Sequence, residues 1–214
     1  METCVVRVWL PDRPGALGQV ASRIGALRAD VVGIDILERG GGQAVDELTV
    51  VLPQAGLMDQ LVAEIGQVDG VAIEDVRRIA AERPDAGLLA LEIVAATAEA
   101  SVDERLEVFC AAMADCTDAA WVTALDTTTG RSHVTLGAGP DTAWLAAFLA
   151  GSSHLTAAEQ AAGAPGDLAW TRLGDSGVAV VIGRPQRLFH TRERQQIALL
   201  GRIAGAISPS LINS

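Results

Sequence analysis

The 214-residue chain contains no tyrosine and no lysine, and only 3% of it is aromatic. Half of the residues are nonetheless hydrophobic, so the core has to be built from valine, leucine, isoleucine and alanine. Positive charge is also scarce. Sixteen arginines face 27 acidic residues, for a net charge of −11. That balance argues against nucleic acid, whose phosphates call for a basic face, and against an anionic membrane surface. No apolar run reaches the length of a membrane span. The acidic start Met1-Glu2-Thr3 leads at once into a strand pattern, so no signal peptide is expected and a cytoplasmic location is.

Reactive side chains are few. Cys4, Cys110 and Cys116 form no C-x-x-C pair, so neither a disulfide framework nor a metal site is indicated, and all three read as small buried hydrophobes. His133, His154 and His190 fall on separate segments without metal-ligand spacing. His190 beside a helix start reads as a solvated neighbour of the cap. Ser152-Ser153-His154 has no orienting acid nearby. The expectation is a non-enzyme that uses no metal and no cofactor.

Periodicity organises the first part of the chain. Residues 4–10 alternate, with Cys4, Val6, Val8 and Leu10 on one face and Arg7 on the other. From Ala16 the period becomes helical, with Leu17, Val20, Ala21, Ile24 and Leu27 on one stripe. Residues 31–39 alternate again, Val32, Ile34 and Ile36 facing one way, Asp35 and Leu37 the other. Gly40-Gly41-Gly42 marks a hairpin tip and precedes no helix, so it is no phosphate cradle. A return strand at 43–52 turns Leu48, Val50 and Leu52 inward. A helix at about 57–68 and a strand at 71–79 come next. Strand, helix, hairpin, helix, strand is the split βαβ arrangement, two helices on one face of an antiparallel sheet. Val5, Trp9, Leu37, Val45 and Val51 point to the other face, too many apolar groups to leave wet.

Between the first strand and first helix lies Asp12-Arg13-Pro14-Gly15-Ala16-Leu17. Asp12 and Pro14 suit a tight turn, and Gly15 leaves the helix N-terminus open to a small anion. In this βαββαβ context, residues 4–80 resemble the ACT domain, a ferredoxin-like regulatory fold that commonly binds amino acids between two subunits. The resemblance implies a carboxylate at the Ala16 and Leu17 amides and an ammonium group held by Asp12. It also implies that residues on the second strand, including Val31, Val32 and Asp35, close the site. Serine-binding members carry asparagine where this chain has Asp12 and Val31, so serine is not implied.

Ala80 to Gly87, broken by Pro84, reads as a boundary. Beyond it come helices at 88–100 and 102–115, strands at 119–126 and 131–138, and a helix at 141–150. An irregular stretch at 151–166, strands at 168–173 and 177–183, and a helix from a Thr191 cap to about Ile207 complete the pattern. Gly201 and Gly205 leave room for a neighbouring helix. Val180-Val181-Ile182-Gly183-Arg184-Pro185 followed by Phe189-His190-Thr191-Arg192-Glu193-Arg194 resembles the end of a GAF domain. The expected fold is α+β: an ACT-like domain at 1–80, a linker at 81–87 and a small GAF-like antiparallel sheet domain with flanking helices at 88–214. The expected function is a regulatory sensor, a homodimer binding an amino acid or similar zwitterion. The alternative is a dimerisation scaffold for a metabolic enzyme or signalling partner, with no small-molecule ligand.

Overall fold

The computed structural model describes residues 1–83, 85–152 and 165–207. It is α+β, with two antiparallel four-stranded sheets and, among the described residues, six helices. The chain divides into two compact units, Met1–Asp85 and Ala86–Ser214. Pro84, the expected breaker, lies outside the described residues.

The first unit runs β1 (Glu2–Pro11), α1 (Ala16–Ala26), β2 (Asp30–Gly40), β3 (Gln43–Leu52), α2 (Met58–Ile65) and β4 (Ala72–Arg78). Its sheet order is β2-β3-β1-β4. The two central strands supply most of the core, where Val6, Val8, Leu48 and Val50 pack with Val20 and Ile24 of α1 and Leu61 and Ile65 of α2. Gly41 and Gly42 both take positive φ (60° and 79°), the backbone that closes a two-residue hairpin with the strand twist.

Strand β2 departs from its expected alternation. Its pairing with β3 shifts between Val31 and Gly33 and again between Ile36 and Glu38. Each extra residue flips the facing of the side chains beyond it. Val31 therefore joins the helix-side core, Val32 is exposed, and Leu37 is buried at the second bulge.

The face away from the helices also differs from the apolar patch expected there. Val5, Val45 and Leu37 are buried, but charges are interleaved with them. Arg7 pairs across the sheet with Glu47 on one side and Asp75 on the other. The Arg7 side chain is 1% exposed and donates to Glu47 Oε2 through Nε (3.0 Å) and Nη2 (2.7 Å). Arg7 also lies 3.5 Å from Glu74, which accepts the indole N–H of Trp9 at 2.7 Å. Arg77 reaches both Glu47 (3.3 Å) and Asp75 (2.9 Å). Burial alone would push the Glu47 carboxyl up; the guanidiniums of Arg77 and Arg7 outweigh it and hold it below its ordinary value.

The second unit runs α3 (Ala86–Glu99), α4 (Arg105–Thr117), β5 (Trp121–Asp126), β6 (Ser132–Gly137), α5 (Thr142–Ser152), β7 (Leu168–Arg172), β8 (Val178–Gly183) and α6 (Thr191–Ile207). Its sheet order is β6-β5-β8-β7. Val122, Ala124, Val180 and Ile182 pack with residues of α3, α4 and α6. Leu125 and Val181, of opposite parity on the same strands, pack with Leu145 and Leu149 of α5. Gly201 and Gly205 seat α6 on the end of β7 rather than on another helix. A Cβ at Gly201 would overlap the Thr171 side chain, and one at Gly205 the backbone of Leu173 and Gly174.

Thr191 is the first residue of α6, and His190, expected in solvent, is buried. The Glu193 carboxylate accepts the His190 amide (2.9 Å), one arm of a capping box, and also the Arg184 guanidinium (2.6 Å). Arg184, itself buried, donates further to the carbonyls of Leu188 (2.6 Å) and Thr117 (3.0 Å) and lies 3.8 Å over the Phe189 ring. The Arg-rich motif of this segment thus holds loop backbone in place.

Candidate functional site

The turn from β1 into α1 is built as the sequence requires. The Asp12 amide donates to the Gly42 carbonyl (3.0 Å) and the Arg13 amide to the Pro11 carbonyl (2.8 Å), tying the turn to the hairpin tip. Gly15 is the N-cap residue, at φ 88° and ψ −13°, a left-handed backbone that favours glycine. A Cβ there would meet nothing within 4 Å, so glycine is needed for its backbone freedom and not for space. As a glycine, the N-cap residue makes no side-chain cap bond to α1. Asp12, Arg13, Pro14 and Gly15 are exposed, Ala16 is buried, and Leu17 packs at the edge of the helix-side core. The Ala16 amide donates to the Arg13 carbonyl at 3.3 Å, a long bond.

The second-strand residues are not brought to this turn within one chain. Val31 is level with Val50, which pairs with Cys4, whereas the turn follows Leu10, level with Ala44. Six residues of β3 separate the two levels, about 20 Å along the strand. Asp35 pairs with Glu47 and so belongs to the face of the ion network, opposite the helices. Val32 stands exposed on the outer strand. A site using both the turn and the start of β2 takes two chains.

A carboxylate that sequence reasoning passed over lies closer to the turn. Asp46 follows the inward parity of Leu48, Val50 and Leu52, pairs with Val8 and Ile36, and is 3% exposed. Its Oδ1 is buried with no hydrogen-bond partner among the described residues. Burial pushes its carboxyl up, Arg39 draws it partly back down, and Asp12 pushes it up again. The signal was available in the sequence: an acidic residue at a core-facing position of an alternating strand.

Reactive chemistry is sparse among the described residues. They hold no group of three or more His, Cys, Asp and Glu side chains able to bind a metal. Cys4 and Cys110 are buried, their thiols pushed up to about 11 and about 12 by burial first and by Glu2 and Glu107 second, which leaves them un-ionised near neutrality. Cys116 is partly exposed. The Ser152 hydroxyl donates to the Phe148 carbonyl (2.8 Å), while Ser153 and His154 lie outside the described residues. No described helix is long and apolar enough to cross a membrane.

No family model matches the chain, and no curated protein does. Among solved structures, the chain is similar to an unknown protein from Galdieria sulphuraria, at 17% identity and a TM-score of 0.33 over 44% of this chain; it spans 63% of that protein's length. It is also similar to the ACT domain of a GTP pyrophosphokinase from Chlorobium tepidum, at 18% identity and a TM-score of 0.30, over 36% of this chain and 97% of that domain. TM-scores this low make neither a basis for assigning fold or function here.

Proposed function

We propose that the protein is a non-catalytic regulatory sensor whose N-terminal unit binds an amino acid or similar small zwitterion at the β1–α1 turn. The observation that carries this reading is the turn itself. It is exposed from Asp12 to Gly15, opens through a positive-φ glycine, and presents a helix start whose N-cap residue makes no side-chain cap bond. Such a start favours an anion, here the ligand carboxylate, which would displace the long Ala16 bond. The resemblance of Asp12–Leu17 to the ACT motif supports the same ligand class. On this reading the N-terminal unit is an ACT domain and the second unit a GAF-like domain.

A homodimer supplies what one chain lacks. The turn of one copy meets the start of β2 of the other, joining Asp12, Gly15, Ala16 and Leu17 with the partner-side Val31 and Val32. Location in the cytoplasm accords with a metabolite ligand. The test pairs size-exclusion chromatography with light scattering and a ligand titration of Gly15→Val. A dimer whose amino-acid response disappears in Gly15→Val, with its circular dichroism unchanged, supports the reading. A monomer at micromolar concentration, or an undiminished response, contradicts it. A dimer with no response to any amino acid favours the scaffold alternative.

A further inference from the structure

Two helices of the second unit leave an apolar face exposed. Ile93 of α3 and Ile197 of α6 belong to one core. Leu91 and Leu199 each stand two residues away from them, nearly opposite, about 160° around the helix. Leu91 is 68% exposed and Leu199 53%, with Leu88 and Ile203 exposed beside them. A helix apolar all round is ordinarily buried all round, and α3 comes close to that, its only charges being Glu92 and Glu99. The two helices pack together and run parallel. The Gln196 side chain donates to the Ala86 carbonyl (2.8 Å) at the start of α3, and Arg105, just past the end of α3, lies 3.5 Å from the carbonyl of Ile207, which ends α6.

Glu92 lies six residues beyond Ala86, and Arg202 six beyond Gln196, so the two charges stand at the same height, about 9 Å along from that contact. Both are exposed, and neither makes a hydrogen bond or ion pair among the described residues. Those heights select one way of pairing two copies. A two-fold axis across the helices lays α3 on the partner's α3 and sets acid against acid. An axis along the helices lays α3 on the partner's α6 and sets Glu92 against the partner's Arg202, twice by symmetry. Leu88 and Leu91 then meet the partner's Leu199 and the partner's Ile203. We propose that the outer face of α3 and α6 docks on the same face of a second copy of this chain, with the helices of the two copies parallel. The apolar residues supply the burial, and the pairing of Glu92 with the partner's Arg202 sets the register. This contact is independent of the ligand site proposed above and forms without an amino acid.

The test is analytical ultracentrifugation of the full chain without ligand, each variant alone and in mixture. The parent associates. Leu91→Glu, at an exposed position, weakens association about tenfold or more, because two-fold symmetry buries the new charge twice. Glu92→Arg and Arg202→Glu each weaken it as well, since each sets like charges opposite one another. An equimolar mixture of those two variants associates close to the parent's affinity, because every contact between the two kinds of chain is then of opposite sign. A pairing of Glu92 with Arg202 inside one chain would gain nothing from mixing. A monomeric parent overturns the proposal. So does a parent whose association all three variants leave within twofold, which places self-association on another surface. A mixture no tighter than either variant alone overturns the parallel pairing and the proposal with it. If Leu91→Glu does not fold, the mixture decides alone.

Discussion

Replacing Arg7 by methionine tests the charged face of the first sheet. The substitution keeps a long unbranched side chain and removes a guanidinium that is 1% exposed. Glu47 loses bonds of 3.0 and 2.7 Å, and Glu74 loses a cation 3.5 Å away. Breaking a buried ion pair from one side costs about 3–5 kcal/mol, because the partner is left charged in the interior. Arg77 still lies 3.3 Å from Glu47, whose side chain is 19% exposed, which places the expected loss at the lower end, about 3 kcal/mol. The assay is amide hydrogen exchange of the β1 and β3 peptides, since those strands belong to the first unit. At about 1.4 kcal/mol per tenfold, protection there falls by roughly two decades, while β5 and β8 are unaffected. The effect also carries a pH signature. Glu47 has a depressed carboxyl in the folded state, so its stabilisation is present above the unfolded-state value and lost as the pH falls through the folded one. The difference between parent and Arg7→Met therefore shrinks in acid. Adding Glu47→Gln to Arg7→Met recovers part of the loss, because the Glu47 charge is then no longer left beside a missing guanidinium. A cost below about 1 kcal/mol, the range of an exposed pair, would refute the reasoning.

Other substitutions probe separate links. Gly15→Val forces a β-branched residue to φ 88° and costs about 1–3 kcal/mol by chemical denaturation, all of it backbone strain because the Cβ meets nothing; a cost near zero would mean the turn relaxes. Asp46→Asn raises the midpoint at neutral pH. Because the Asp46 carboxyl is raised in the fold, its penalty is relieved as the pH falls, so the gain disappears in acid; a gain that persists there would contradict a charge penalty. Arg184→Ala strands Glu193 and the Leu188 and Thr117 carbonyls in the second unit, costing about 3–5 kcal/mol by urea denaturation, and Arg184→Lys recovers little because lysine cannot span the same fork. Gly201→Ala drives a methyl into Thr171 and costs about 1–3 kcal/mol; replacing Thr171 by glycine as well should recover part of it.

Periodicity made most of the element order legible. The change from period two to a helical stripe at Ala16, and the hairpin at Gly41-Gly42, are local patterns with one reading each. The bulges at Val32 and Leu37 are not local. They are set by the partner strand, and they moved Val31 into the core and left Val32 in solvent. The charged face was hidden for a related reason: Arg7, Glu47 and Arg77 are dispersed among Val5, Trp9 and Val45 and meet only through sheet order. For the candidate site, the turn at Asp12–Gly15 was readable because proline, glycine and a helix start announce themselves. That Val31 lies about 20 Å along the strand from that turn is a consequence of the strand directions, which composition does not carry. Asp46 was readable and was passed over, a polar residue hidden inside the run of Leu48, Val50 and Leu52 that marks the inward face.

Thermal unfolding of the full chain with each of the twenty amino acids at millimolar concentration tests the central claim, that this protein senses an amino acid. A ligand present at about a hundred times its dissociation constant adds about 2.7 kcal/mol, worth about 5–11 °C at this chain length. One amino acid, or a chemically related pair, raising the midpoint by that amount is the expected result. A midpoint unmoved by all twenty would contradict the account and leave the β1–α1 turn as an assembly surface.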